Sequence, residues 1–92
     1  MILNIKGAEA NLPTTANGTN FSAATCIKIN VTATTGDVVI TLNTEGDVLI
    51  GSTTLVAPSA GGTSYFVEKS HTDKIVSDTG SVKATPVGFT IS

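Results

Sequence analysis

Between residues 25 and 43 the chain alternates with a period of two, and that alternation limits the fold more than any other feature of the sequence. In TCIKINVT, Ile27, Ile29 and Val31 share one parity and Cys26, Lys28 and Asn30 the other. Successive side chains of a strand point to opposite faces, so the spacing predicts a half-buried β-strand. DVVITLN repeats the device, with Val38, Ile40 and Leu42 set against Val39, Thr41 and Asn43. The intervening ATTG has hairpin length, and Gly36 is free to adopt positive φ, so residues 25–43 are predicted to form a β-hairpin.

The remaining sequence follows the same rhythm. TEGD makes a turn, and VLIGSTTLVA reads as one strand bent at Gly51 and ended by Pro58. After the SAGG turn, TSYFVEK sets Tyr65 and Val67 against Phe66 and Glu68. KIVS and SVKAT flank DTG, which reads as a second hairpin turn. VGFTI follows Pro86, with Val87, Phe89 and Ile91 on one face. No stripe of period 3.6 occurs, and β-branched residues are dense where a helix would want Ala, Leu or Glu. The expectation is an all-β chain: a small antiparallel β-sandwich or jelly-roll-like barrel of seven to eight short strands.

Residues 7–24, GAEANLPTTANGTNFSAA, break the pattern, with Leu12 and Phe21 as apolar anchors. Loops this long are uncommon in compact domains and are often functional. Two readings stand: a tethered loop covering one end of the sandwich, or an extended arm that docks on a neighbour. The expected division is an N-terminal strand and extended arm over 1–23 and a single β-sandwich domain over 24–92.

Size and charge narrow the function. Ninety-two residues allow one modest core. A single Cys excludes an internal disulfide, and one Cys with one His falls short of a structural zinc site. All five basic residues are Lys, scattered among seven acids, so nucleic-acid binding is not expected. No apolar run approaches the roughly 18 residues of a membrane span. Lys6 and the short apolar run before it argue against a signal peptide, so the sequons at Asn17, Asn20 and Asn30 carry little weight. Charged residues make up 13% of the chain against a usual figure of about 25%, while mean hydropathy is +0.29. Either the outer face is a Thr/Ser-rich surface of the secreted β-domain type, or neighbours cover much of it in an assembly.

Glu68, Lys69, His71 and Asp73 form the densest run of ionisable residues. Acid–base catalysis needs groups converging from different elements, whereas near-consecutive side chains at a strand end diverge. The run is therefore read as a solvated strand end, with contact to a neighbouring subunit as its second use. Neither catalysis nor a metal held by His71 and Asp73 is expected. Cys26 reads as a small buried apolar residue. A sugar-binding face usually stacks on Trp or Tyr, and only Tyr65 is present.

The opening ILNIKGAEANL (residues 2–12) and the later YFVEKSHTDKI (residues 65–75) resemble the small structural proteins of tailed phages that infect marine cyanobacteria and similar bacteria. In that group a GAEAN-type opening and an F-V-E-K-x-x-T-D segment bracket a Thr/Val-rich β-region. The resemblance implies a non-enzymatic virion component, most simply a capsid decoration (cement) protein, with no cofactor. Its partners would be the major capsid protein or other virion proteins, as a homo-oligomer or a lattice-bound chain. A tail, neck or fibre module, or a β-module binding glycans or a host surface, is the alternative. The resemblance carries no site motif. From the residues themselves, the stretch 7–21 is the expected docking arm. The candidate partner contacts are Ile2, Leu3, Ile5, Glu9, Leu12 and Phe21 at the N-terminal end, with Tyr65, Glu68, Lys69 and His71 further on.

Overall fold

The computed structural model describes residues 2–15 and 18–90. It is all-β, with eight short antiparallel strands in two sheets: β1 (Ile2–Ile5), β2 (Ala10–Asn11), β3 (Cys26–Thr32), β4 (Val38–Asn43), β5 (Leu49–Leu55), β6 (Gly62–Glu68), β7 (Lys74–Ser77) and β8 (Lys83–Thr90). One sheet runs β1-β8-β3-β6 with β2 also on β8; the other runs β5-β4-β7. The alternation read from the sequence sets the core: Ile27, Ile29 and Val31 of β3 and Val38 and Ile40 of β4 are buried with Ile75, Val82 and Ala84 between the sheets.

Two predicted connections differ. β3 pairs with β6 and β8, and β4 pairs with β5 and β7, so residues 25–43 form an arch between sheets and not a hairpin. Thr32 and Thr35 close the arch through reciprocal backbone-to-hydroxyl bonds of 3.0 and 3.1 Å. The DTG segment likewise carries the chain from one sheet to the other. An arch and a hairpin demand the same parity on both arms, because both bury one face of each strand. β4 and β5 do form a hairpin across TEGD, with the Thr44 N–H donating to the Val48 carbonyl at 2.8 Å.

The strand predicted to start after Pro86 instead runs through it, from Lys83 to Thr90. Pro86 is tolerable there for a local reason. Its carbonyl accepts the Lys6 N–H at 2.8 Å, so the N–H it lacks would also have faced the N-terminal segment. That segment bulges at this level: four residues, 6–9, span the two β8 residues between the Ile5–Val87 and Ala10–Ala84 pairs. Gly7 permits the approach, since a Cβ there would sit 2.7 Å from the Pro86 ring.

The N-terminal strand and arm expected over 1–23 are joined to the larger sheet by backbone pairing. Residues 2–12 are extended, but they lie along β8 of their own chain, and the Leu12 N–H donates to the Val82 carbonyl at 2.9 Å. Beyond them the loop covers the edge of β7. The Ser77 N–H donates to Pro13, and Thr19 and Ile75 exchange backbone bonds of 2.8 and 3.2 Å. Gly18 (φ +68) makes that contact possible, because a Cβ would fall 2.3 Å from the Ile75 carbonyl oxygen.

Candidate interaction surfaces

Within the ionisable run at 68–73, read from the sequence as a solvated strand end, Lys69 departs from that expectation. Lys69 is only 7% exposed, and its Nζ donates to three carbonyl oxygens: Ala24 at 2.7 Å, Asn20 at 2.9 Å and Ser70 at 3.2 Å. An ammonium has three protons, so all are used. Its target is a left-handed turn, in which Phe21, Ser22 and Ala23 take φ of 56, 60 and 57°. Three successive L-residues in that region are costly, at about 1 kcal/mol or more each. The turn survives because its polar groups are matched. Asn20 Oδ1 accepts the Ala23 N–H, Thr19 Oγ1 accepts the Phe21 N–H, and Lys69 gathers the carbonyls. Burial pulls the Lys69 pKa below the ordinary lysine value, with Asp73 opposing the shift.

The other members of the run diverge. Glu68 and His71 are exposed, and Asp73 Oδ2 accepts the Ser70 N–H at 3.2 Å to close the turn before β7. Cys26 is half-buried, and its thiol pKa is raised by burial and then by the charge of Glu68 opposite it on β6. Among the described residues no group of three or more His, Cys, Asp or Glu is placed to hold a metal ion.

Of the expected contact residues, Leu12 and Phe21 are buried in the core of their own chain, which corrects their reading as docking anchors. Tyr65 is half-buried against the core, and its hydroxyl donates to the Val56 carbonyl at 2.7 Å. Ile2 lies in β1, but its side chain is outside the described residues. Leu3, Ile5 and Glu9 do come together, in a groove of about 360 Å³ with Lys28, Thr85 and Val87. Ile5 is 74% exposed there. Its lining combines the apolar Leu3, Ile5 and Val87 with one charge of each sign, Glu9 and Lys28.

A second apolar surface was not read from the sequence. Parity places Leu49 with Gly51, Thr53 and Leu55, facing the core. In the β4–β5 ladder, however, Leu42 pairs with Gly51 and Asn43 with Leu49, so Ile50 is an extra, bulged residue. The bulge carries Leu49 to the outer face of Asn43, and Val48, Leu49 and Ile50 are all exposed, Leu49 at 65%. The only available signal was Gly51, a residue type that marks bulges in strands. Among the described residues, Phe66 on β6 and Val56 after β5 are the other large exposed apolar side chains that the expected set did not include.

Comparison of the chain with protein-family models, curated proteins and solved structures gives no match, so its function has to be argued from these surfaces.

Proposed function

We propose that this chain is a non-enzymatic structural protein of a phage virion, acting as a decoration (cement) protein on the capsid lattice. The observation that carries the reading is the placement of its exposed apolar side chains. Leu3 and Ile5 on β1, and Val48, Leu49 and Ile50 at the start of β5, lie on edge strands of the two sheets. Edge strands offer unpaired backbone groups, and apolar side chains beside them favour burial against another chain. A chain bound at such edges bridges neighbouring capsid subunits and stabilises the shell by mass action. The sequence resemblance to cyanophage structural proteins points the same way. The groove of Leu3, Ile5, Glu9 and Lys28 is the proposed shell contact, in place of the loop anchors Leu12 and Phe21.

The test is quantitative mass spectrometry of purified particles. Copies in the hundreds per virion support a shell protein. A ring-sized copy number favours the tail or neck, and absence from particles overturns the virion reading. A glycan array on the isolated chain covers the remaining alternative, for which the Thr-rich groove formed by Asn30, Thr32, Thr35, Thr79 and Lys83 is the candidate.

A further inference from the structure

We infer that β5 is a self-pairing edge, joining two copies of this chain antiparallel about a two-fold axis at Ser52 into one continuous sheet, β7-β4-β5 of one copy running on into β5-β4-β7 of the next. Three observations choose a second copy as the occupant.

The first is the treatment of the edges. Natural sheets protect open edges with charge, proline, bulges or a covering segment. The β7 edge is covered by the backbone of Pro13 and Thr19, and the N-terminal edge carries Lys6, Glu9 and a bulge. β6 ends on Glu68. β5 bulges at Ile50 but is regular over Gly51–Leu55, where no segment covers it, and no charged residue occurs between Asp47 and Glu68, so two copies of this edge can meet without bringing like charges together.

The second is the pattern VLIGSTTLV over residues 48–56. Its ends are apolar and its middle polar about Ser52, so residues 48–50 of one copy lie opposite 54–56 of the other, with Ile50 as the extra residue and Leu49 and Leu55 on opposite faces. Antiparallel two-fold pairing is isologous, so each apolar end meets the opposite apolar end of the other copy.

The third is exposure. Of the seven large apolar side chains exposed among the described residues, Val48, Leu49, Ile50 and Val56 flank the two ends of β5. The antiparallel arrangement puts the 48–50 tip of each copy beside Val56 of the other, covering four such side chains at each end of the pair in total across both copies. Alternate residues of β5 turn their N–H and C=O away from β4, and these supply the new ladder.

One seven-residue edge stays below the roughly 1,200 Å² of a standard interface, so a dissociation constant on the order of tens of micromolar is expected. Sedimentation equilibrium across concentration should show a reversible monomer–dimer. Ser52 is exposed, so Ser52→Lys and Ser52→Glu leave the fold intact, which matching thermal melts check. Each variant alone should dimerise at least about tenfold more weakly, because like charges face each other at the axis. An equimolar mixture of the two should recover dimer. A wild-type chain that stays monomeric to about 1 mM, or a Ser52→Lys chain that pairs as well as wild type, overturns the inference. The outcome is separable from the virion reading: a monomer found in particles sinks self-pairing alone, and a dimer absent from particles sinks the virion reading alone.

Discussion

Replacing Lys69 with methionine tests the idea that a single ammonium holds the left-handed turn of residues 21–23. Methionine keeps most of the unbranched stem and removes only the charged head, so the change isolates the three hydrogen bonds. The Ser70 carbonyl is near the surface and can turn to water. The Ala24 and Asn20 carbonyls accept in buried and part-buried positions, and losing their partner costs about 1–3 and about 1 kcal/mol respectively. The sum, about 2–4 kcal/mol, is a large share of the roughly 5–15 kcal/mol by which such domains are stable. At about 4–8 °C per kcal/mol it lowers Tm by roughly 10–30 °C. Urea and thermal unfolding followed by circular dichroism measure it, with Lys74→Met as the comparator. Lys74 pairs with the exposed Asp47, and such surface pairs are worth about 1 kcal/mol or less. Ala23→Gly supplies the second arm. Glycine relieves the positive φ of that residue, so in its background the Lys69→Met loss should shrink by up to about 1 kcal/mol. A Lys69→Met loss no larger than that of Lys74→Met would refute the reasoning.

Gly18→Ala should destabilise by more than about 2 kcal/mol, since the new Cβ meets the Ile75 carbonyl oxygen at a φ disfavoured for alanine, and the loop must lift from β7; hydrogen exchange at the Ile75 and Ser77 amides should speed up in step, and unchanged exchange there would count against the close-approach argument. The pH dependence has a definite sign. Folding lowers the Lys69 pKa, so between the folded value and the ordinary 10.5 the unfolded chain binds more protons, and the Lys69 contribution to stability grows as pH rises through that interval. The stability difference between wild type and Lys69→Met, measured by urea titration at several alkaline pH values, should therefore widen; a narrowing difference contradicts it.

Parity was the legible part of this fold. The faces of β3, β4 and β6 follow from alternate residues, and the buried set Ile27, Ile29, Val31, Val38 and Ile40 follows with them. What parity cannot encode is which sheet a strand joins, and so the β3–β4 arch looked like a hairpin. It also fails silently at a bulge: one extra residue, Ile50, turns Leu49 from the core to solvent without altering the local composition. Lys69 was hidden for a different reason. Two of its three partners are main-chain oxygens 45 and 49 residues away, and backbone acceptors leave no mark on sequence. Leu3, Ile5 and Glu9 were legible as surface candidates because they lie on a short extended stretch, whereas Leu12 and Phe21 looked like anchors and were anchors to their own core.

The position of β8 has a consequence for how the chain reaches its native state. β8 lies in the middle of the larger sheet, with Ile2 opposite Thr90 and Ala10 opposite Ala84 on one side and Ile29 opposite Ala84 on the other. During synthesis the three strands that flank it, β1, β2 and β3, are made before it, so residues 2–12 have no ladder to join until β8 itself has been made. Closing a loop of that span is slow compared with hairpin formation. Nascent chains therefore pass through a state whose early apolar residues are bare, and a holdase acting on the opening segment should improve the yield of correctly folded product.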